Sequence, residues 1–353
     1  MEVRSQPSTP GSRILLAAAV IAAATAMSAR AGSDVLLVPD SGADRIWALS
    51  PFDGSILDTD FVPADGIMQQ PIQAIPSGRG TILVTDELAK AVFEYSGTGR
   101  YLRTIADNLE NCYAICMKDG FAFVTSGFST GGVGGKIYRC SLDGAPPQVF
   151  SDWTGIGDPR GIQPYGDGFL VGNSLDDDLE IVAADGTVAA TPFFDSDGVS
   201  SFDFPQQLTD IGNGNWMLTG FSRPSGVYFF DADAINYASY IAELVTIPRG
   251  SFLLDNGDLL YTGGTRIERL DLKTYENTTI FNASGPSFRW INRFTPPPPC
   301  AGDIDGDGAV AASDLASLLG AWGTADTAAD LDGDGTVTAA DLAALLAAWG
   351  PCN

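Results

Sequence analysis

Two stretches of twelve residues near the C-terminus of this 353-residue chain repeat one arrangement of carboxylates and glycines. They run from 303 to 314 and from 330 to 341, and each has Asp at positions 1, 3, 5 and 12 and Gly at position 6. Carboxylate oxygens at these positions, placed around a sharp glycine turn, are typical of EF-hand-type calcium loops. The spacing therefore predicts two calcium sites.

An amphipathic helix is predicted after each loop, because apolar residues recur at i, i+3, i+4 and i+7. The two apolar stripes consist of Leu315, Leu318, Leu319 and Trp322, and of Leu342, Leu345, Leu346 and Trp349. Neither helix can bury its stripe alone, so we expect the two helices to pack face to face around the tryptophans. We also expect Val310 and Val337, at loop position 8, to join the two loops in a short β-like contact.

Residues 303–350 resemble a type I dockerin, with two loop–helix repeats, a short linker and Asp instead of Glu at position 12. In that family the ions are held by positions 1, 3, 5 and 12 and by the backbone carbonyl of position 7. The resemblance thus implies two calcium ions and the ligands Asp303, Asp305, Asp307, Ala309, Asp314, Asp330, Asp332, Asp334, Thr336 and Asp341.

The same resemblance implies a cohesin-like or cell-surface partner for the C-terminal segment. Recognition in the family depends on loop positions 10 and 11 and on the following helix. These positions are small here, Ala312–Ser313 and Ala339–Ala340, and the helix faces lack Lys and Arg. The residues support calcium binding and leave the identity of the partner open.

The C-terminal segment is set apart by composition. Prolines at 296–299 predict an extended linker, and residues 300–353 contain nine Asp and no Lys, Arg or Glu. Cys300 and Cys352 bracket the segment, and we expect them to form a disulfide. Closing a loop of this length should stabilise the small domain by about 4 kcal/mol on the chain-entropy model.

The N-terminus has the order of a secretory signal peptide: Arg4 and Arg13, an apolar run from 14 to 27, and a small-residue site ending at Ala31. We therefore predict that residues 1–31 are removed and that the protein is secreted. The apolar run is shorter than the roughly 20 residues that a spanning helix needs, and an uncleaved anchor is the alternative. No other segment is apolar enough to span a membrane.

Charge and composition exclude several classes of function. The formal net charge is −25, which disfavours nucleic acid and anionic lipid as partners. There is no histidine, which excludes Ser-His-Asp and Cys-His catalysis, histidine-ligated zinc and imidazole acid–base chemistry. Cys112 and Cys116 lie on one predicted strand, about 13 Å apart, and cannot pair with each other. One of them is expected to reach Cys140, leaving a single buried thiol.

Residues 34–295 carry a repeat with a period of about 45 residues, built from strand, turn and strand, which indicates a β-propeller. Its markers are the apolar triplets Leu36–Val38, Ile82–Val84, Ala122–Val124, Leu170–Gly172, Met217–Thr219 and Leu259–Tyr261. In the fourth copy of the repeat, Thr187–Ala189 is predicted to be the third strand of the unit. A β-sandwich with irregular repeats is the alternative.

Most copies have a further strand before the triplet, but the first copy lacks one. A matching segment occurs at the other end of the repeat region, in Phe288–Phe294. Placing this segment in the first blade would close the ring and remove an open sheet edge. The predicted fold is therefore an all-β six-bladed propeller followed by a small α-helical dockerin-like domain.

The propeller resembles the six-bladed superfamily of NHL-repeat proteins, streptogramin lyase and gluconolactonase-like hydrolases. The resemblance is one of repeat shape, as in Pro159–Ile162, Gly166–Val171 and Ala184–Gly186. It implies a funnel for a ligand and, through the enzymes, a lyase or lactonase activity. The histidine on which the lyase relies is absent, and no Glu stands where the lactonases hold their metal.

One position per blade, directly after the triplet strand, could supply a cation site at the ring axis. Its residues are Asp40, Asp86, Ser126, Asn173, Gly220 and Gly263. Alternatively, Asp and Asn at such positions cap their own loops. The acidic run Asp176–Asp178 with Glu180 is expected to be a solvated loop tip. The glycine-rich loop 127–135 lacks the residues and the helix of a phosphate-binding loop.

These features together predict a secreted binding or display protein with no catalytic residues of its own, attached through its C-terminal domain. The ligand of the propeller is not specified by the sequence. The alternative is a metal-dependent hydrolase or lyase that acts on a sugar or lactone in the funnel.

Overall fold

The computed structural model describes residues 34–127, 135–154, 157–196, 198–199, 201–222, 224–232, 237–241, 244–296, 300–306, 308–326 and 328–351. The predicted signal peptide, most of the proline linker, the centre of the glycine-rich loop, Asp307 and Cys352 lie outside these ranges. The Cys300–Cys352 pairing consequently stays a prediction.

Six antiparallel sheets form the blades of a propeller. Blades 1 to 3 contain β1 (Val35–Asp40), β2 (Arg45–Leu49), β3 (Ile56–Val62), β4 (Pro71–Pro76), β5 (Ile82–Asp86), β6 (Ala91–Tyr95), β7 (Tyr101–Ala106), β8 (Cys112–Lys118), β9 (Phe121–Ser126), β10 (Gly135–Ser141) and β11 (Gln148–Trp153). Blades 4 to 6 contain β12 (Pro159–Tyr165), β13 (Gly168–Asn173), β14 (Asp178–Val182), β15 (Asp203–Gly212), β16 (Asn215–Ser222), β17 (Gly226–Phe230), β18 (Tyr237–Ile241), β19 (Gly250–Leu253), β20 (Leu259–Gly263), β21 (Arg266–Leu270) and β22 (Asn277–Asn282).

The ring is closed by the last strand of the propeller, β23 (Asn292–Phe294). This strand pairs antiparallel with β1, matching Val35 with Phe294 and Leu37 with Asn292. Blade 1 thus combines the two ends of the propeller sequence, in the order β23-β1-β2-β3. The predicted closure and the count of six blades are confirmed.

The apolar triplets lie in the second strand of each blade, counted from the ring axis. These strands are covered on both faces, which explains their continuous apolar runs. Side chains from neighbouring blades form shared cores: Leu83 and Val92 of blade 2, for example, pack with Ile115 and Val124 of blade 3. Burial between blades therefore holds the ring together, at about 25 cal/mol for each Å² of apolar surface removed from water.

A threonine next to the triplet fastens several blades to the next one. The hydroxyl of Thr85 donates to the carbonyl of Tyr113 at 2.6 Å, and Thr125 donates to the carbonyl of Arg160 at 2.6 Å. Thr262 makes the same bond to the carbonyl of Arg289 at 2.5 Å. Tyr113 and Arg160 lie at the start of the innermost strand of the following blade, and Arg289 lies in the segment that leads into β23, so these bonds fix the backbone around the ring axis.

Two expectations for the propeller are wrong. Residues 187–189 form no strand, because the chain turns tightly after β14 and Val188 makes a single bridge to Val182.

The three cysteines are free and buried, so no bond to Cys140 exists. A β-bulge after Cys112 places Cys112 in the core shared with blade 2 and Cys116 in the core shared with blade 4. Burial raises the pKa of the Cys112 and Cys140 thiols to about 12.

The C-terminal segment contains β24 (Ala309–Val310), α1 (Ala312–Gly320), α2 (Ala339–Ala347) and β25 (Gly350–Pro351). Its core is small, with Val310, Leu318, Ala329, Val337 and Leu345 as the fully buried apolar residues. Across the described residues, no helix has both the length and the apolar character needed to cross a membrane.

Candidate functional site

The first acidic loop brings three predicted ligands together. Carboxylate oxygens of Asp303, Asp305 and Asp314 lie within 4.8 Å of one another. Asp303 also accepts a hydrogen bond from the backbone N–H of Gly308 at 3.0 Å, which curls the loop around its first position. Gly308 has a φ of 91°, a conformation that favours glycine at loop position 6. Asp307 lies outside the described residues.

The second loop repeats this geometry with a different trio. Carboxylate oxygens of Asp330, Asp332 and Asp334 lie within 4.8 Å of one another. Asp330 accepts from the N–H of Gly335 at 2.8 Å, and this glycine also has a φ of 91°. Asp332 and Asp334 are exposed, and Asp341 does not belong to the trio.

The Asp at position 12 of each loop is fully buried and ties its loop to the helix. One oxygen of Asp341 accepts the N–H groups of Leu331 and Asp332 at 2.7 and 3.1 Å, and the other accepts the N–H of Thr338 at 2.7 Å. The Thr338 bond, followed by those from Asp332 and Leu331, lowers the pKa of the Asp341 carboxyl. Asp314 makes the equivalent three bonds in the first loop.

The two groups of carboxylates fit a hard divalent cation. Three convergent carboxylates, with a backbone carbonyl at position 7, are the oxygen ligands that Ca²⁺ prefers. Within the described part of the chain, these two trios are the groups of acidic or sulfur side chains that could hold a metal. They gather negative charge in a segment that has no basic residue of its own, and a cation would neutralise it.

The helices pack differently from the prediction. Leu318 and Leu345 are fully buried, whereas Trp322 and Trp349 are 45% and 48% exposed. Leu319 and Leu346 are each 52% exposed. Because both helices are short, each can bury only about one residue per turn of the other. Half of each apolar stripe therefore faces solvent. The tryptophans are surface residues and do not form the core.

The predicted β-like contact between the two loops is also wrong. Val310 pairs with Gly350, which follows α2, and Val337 exchanges backbone hydrogen bonds with Gly323 and Thr324, which follow α1. Each loop is therefore joined to the end of the other repeat's helix. Both valines remain buried in the shared core of the domain.

The first loop touches the propeller, whereas the second has no such contact among the described residues. The guanidinium of Arg100, in the turn before β7, lies 2.8 Å from the Asp305 carboxylate and donates to its carbonyl at 3.1 Å. A Cβ on Gly306 would lie 2.4 Å from the Thr98 hydroxyl, so the Thr98 side chain packs closely against the backbone of the first loop. A predicted calcium ligand thus carries the contact between blade 2 and the C-terminal domain.

The predicted cation site at the ring axis is not formed, because the innermost strand separates the second strand from the axis. Asp86 accepts the backbone N–H groups of Gln69, Gln70 and Ala89 at 2.7 to 2.9 Å. Asp40 and Asn173 likewise accept N–H groups of nearby loops. These side chains cap loops between blades, as the alternative interpretation held.

Only the start of the acidic run in blade 4 is a solvated tip, with Asp176 exposed in a turn. Asp178 and Glu180 lie in β14 and are half-buried beside the segment that leads to blade 5. Asp178 accepts the N–H of Ser196 at 2.9 Å. Burial, with the neighbouring carboxylates, raises the pKa of Asp178 to about 6 and that of Glu180 to about 7.

A cavity of about 350 Å³ lies at the start of the innermost strands, where all six blades meet. One residue from each innermost strand, or from the segment that leads into it, lines the cavity. Going around the ring, these residues are Ile72, Tyr113, Arg160, Gln206, Arg249 and Arg289. Three of the chain's 19 basic residues therefore converge on one cavity in a protein of net charge −25.

Glycines make room for this arrangement. Gly161 and Gly250 directly follow two of the cavity arginines. A Cβ on Gly250 would lie 2.7 Å from the Arg289 carbonyl, and a Cβ on Gly161 would lie 2.6 Å from the Gln206 carbonyl. The innermost strands approach each other too closely for a side chain there, so the Arg-Gly pairs of blades 4 and 6 combine a cavity-lining charge with close packing.

The sequence interpretation missed these cavity residues, although a signal was present. Pro159–Arg160–Gly161 and Pro248–Arg249–Gly250 are two copies of one motif, and Arg289 occupies the matching place in the closing strand. Bulges displace the register in the innermost strands of blades 2 to 5, so alternation along the strand does not identify which residue faces the axis.

The family model of the dockerin type I domain matches residues 301–348. This range contains both acidic loops and both helices, and it agrees with the resemblance seen in the sequence. No curated protein matches the chain.

Solved structures similar to this chain share its propeller fold at low sequence identity. A crystal structure of a nidogen/laminin complex is 17% identical, with a TM-score of 0.53, and the match covers 74% of this chain and 98% of that one. A protein of unknown function from Bacteroides caccae is 15% identical, with a TM-score of 0.53 and coverages of 74% and 99%. A protein of unknown function from Bacteroides thetaiotaomicron is 12% identical, with a TM-score of 0.50 and coverages of 74% and 68%. These likenesses show the fold alone.

Proposed function

We propose that this chain is a secreted binding or display protein whose C-terminal domain binds two calcium ions and attaches the propeller to a protein partner. The paired acidic loops carry the proposal, because each gathers three carboxylates and continues into a helix capped by its own position-12 Asp. The dockerin match at 301–348 supports a partner of the cohesin type. The order of residues 1–31 supports export.

The exposed apolar residues of the helices support the attachment role. Each helix presents a Leu to solvent, and an exposed Trp follows just after its end, at equivalent places in the two repeats. Apolar side chains that a small domain leaves exposed in pairs mark protein-interaction surfaces. Leu319 and Trp322 on one repeat, and Leu346 and Trp349 on the other, are therefore proposed to contact the partner.

The test measures calcium binding and partner binding separately. Calorimetric titration of the mature chain with Ca²⁺ should give two ions, and deletion of residues 300–353 should leave none. In calcium, the chain should bind a protein of its native secretome, and chelator should release it. Trp322→Ala with Trp349→Ala should lose the partner while still binding two ions.

The matched control is Ser317→Ala, an exposed change on α1 outside the apolar pairs. A calcium ion that survives deletion of the C-terminal domain would contradict the assignment of both ions to this domain. Partner binding that persists in chelator, or in the double tryptophan variant, would contradict the attachment role.

A further inference from the structure

The cavity at the ring axis concentrates positive charge, and only part of that charge is neutralised by ion pairs. Arg160 forms an ion pair with Asp158 at 2.8 Å. Within the described part of the chain, Arg249 and Arg289 have no carboxylate within ion-pair distance. Arg289 donates instead to the neutral hydroxyl of Ser41 at 2.7 Å. Two half-buried arginines are thus left without a counter-ion.

This arrangement disfavours the charged form of the two arginines and lowers their pKa values. Burial and the nearby charge of Arg249 lower the pKa of Arg289 to about 10, and burial lowers the pKa of Arg249. Like charges brought together in a partly buried place destabilise the folded chain unless something binds there. Such clusters are typical of sites where binding is favoured over stability.

The acidic group in the cavity is already engaged. Glu87 accepts from the Tyr113 hydroxyl at 3.1 Å and from the Gln70 amide at 2.9 Å. It therefore forms part of the polar wall and lies outside ion-pair distance of the two free arginines. Its charge acts on both arginines from that distance and raises their pKa values, but among the residues that the structure describes no carboxylate forms an ion pair with them, so a negative charge supplied from outside would displace no ion pair there.

Aromatic rings form the rest of the wall and hold the arginines by their faces. The Arg160 guanidinium lies 3.7 Å from the centroid of the Tyr113 ring, and that of Arg249 lies 4.8 Å from the centroid of Phe221. Phe204 and Trp290 complete this wall. A guanidinium stacked on a ring keeps its N–H edge for hydrogen bonding, and that edge matches the two oxygens of a carboxylate or phosphate.

From these contacts we propose that the cavity binds a small molecule, or the end of a chain, that carries an oxyanion. Arg249 and Arg289 hold its oxygens, Arg160 and Gln206 line the cavity in blades 4 and 5, and the aromatic wall covers its apolar face. A cavity of about 350 Å³ suits a ligand of modest size. The inference rests on the binding role proposed for the propeller and names the chemistry of its ligand.

The experiment uses the mature full-length chain in calcium, at constant ionic strength, with binding measured by calorimetry. Glucuronate is the carboxylate probe, inorganic phosphate and sulfate are the other oxyanions, and glucose is the neutral match to glucuronate. At least one oxyanion should bind with one-to-one stoichiometry at millimolar concentration, while glucose should not. The ranking of the three distinguishes a carboxylate ligand from a phosphate or sulfate ester.

Arg249→Ala should weaken the bound oxyanion about ten-fold or more, since it removes a charge-assisted contact. The same variant should melt no lower than the wild type without ligand, because it relieves repulsion and its side chain makes no ion pair among the described residues. Arg139→Ala, which removes the same charge from the third strand of blade 3, is the matched control and should bind like the wild type.

The inference is overturned if none of the three anions binds, if glucose binds as well as glucuronate, or if Arg249→Ala and Arg139→Ala bind equally. A lower melting temperature of ligand-free Arg249→Ala would assign the residue to the structure of the ring. Partner capture by the C-terminal domain is measured separately, so failure at the cavity does not bear on attachment.

Discussion

The propeller and the C-terminal domain reach stability in opposite ways. The propeller closes a ring of six sheets and buries apolar clusters between neighbouring blades. The C-terminal domain has one small core and leaves two tryptophans at its surface. Its most buried polar groups are carboxylates that tie loop to helix. One domain is held by its own apolar surface, and we propose that the other depends on bound calcium.

The pKa values of buried carboxylates also differ between the two domains. In the propeller, half-buried carboxylates of blade 4 have raised pKa values, so the fold favours their protonated form. In the C-terminal domain, backbone N–H groups lower the pKa of Asp341, so the fold favours the anion. Identical side chains therefore oppose folding in one region and support it in the other, depending on whether donors or other acids surround them.

Calcium removal should give the largest effect and separate the two domains. Chelator should unfold residues 300–353 and leave the propeller folded, because metal binding supplies folding free energy to a domain with so small a core. Scanning calorimetry should show loss of one transition only, and limited proteolysis should release the C-terminal segment alone. A propeller transition that shifts together with the first would show that the two domains fold as one unit.

Gly250→Ala should act on the propeller alone and by a smaller amount. The added methyl group would meet the Arg289 carbonyl and Gln207 at less than 3.0 Å, which forces neighbouring strands apart. Overpacking of this kind costs about 1–3 kcal/mol. Denaturant unfolding should report a less stable propeller with calcium binding unchanged.

The comparison for this substitution is Gly78→Ala, which has a positive φ but nothing within 4 Å of the new methyl group. It should cost backbone strain without overpacking. A Gly250→Ala variant as stable as the wild type would mean that close packing at the axis is not what Gly250 provides.

Glu180→Gln should give the smallest effect and depend on pH. The folded-state pKa of Glu180 is about 7 against an ordinary value of 4.5, so its contribution is fully present below pH 4.5 and is lost as pH rises through 7. At pH 8 the substitution should stabilise the propeller by about 1 kcal/mol, allowing for solvent screening of a half-exposed group. At pH 4.5 it should change little.

Melting temperatures at the two pH values test this, with the exposed Glu276→Gln as the control of equal charge change. A gain of the same size at both pH values would contradict the assignment to ionisation. The C-terminal domain should respond in the opposite direction, since protons compete with calcium for its carboxylates.

Local pattern was enough to predict the features that depend on spacing along the chain. The two loops, their helices and the closing strand follow from fixed intervals between Asp, Gly and apolar residues, and each was found where expected. The Asp at position 12 also serves as the helix cap, a role that its place just inside the helix indicates.

Features that depend on what packs against a residue were missed. Trp322 lies on an apolar stripe, but burial requires a partner wide enough to cover it, and the other helix is too short. Asp178 reads as a loop residue until the segment carrying Ser196 folds over it. Arg160 lies in a strand whose bulge shifts the alternation, and Arg249 and Arg289 lie ahead of their strands, so alternation along a strand does not give the direction of these side chains.

Closure of blade 1 also sets an order of events in folding. The strand β23 pairs with β1 across almost the whole propeller sequence. Among the strand pairs of the ring, these two strands are the farthest apart along the chain. Such pairings are slow to form because a long loop must close before they contribute. The first blade stays incomplete, with an open edge, until the last residues before the proline linker are in place, so the ring is finished only when synthesis of the propeller is finished.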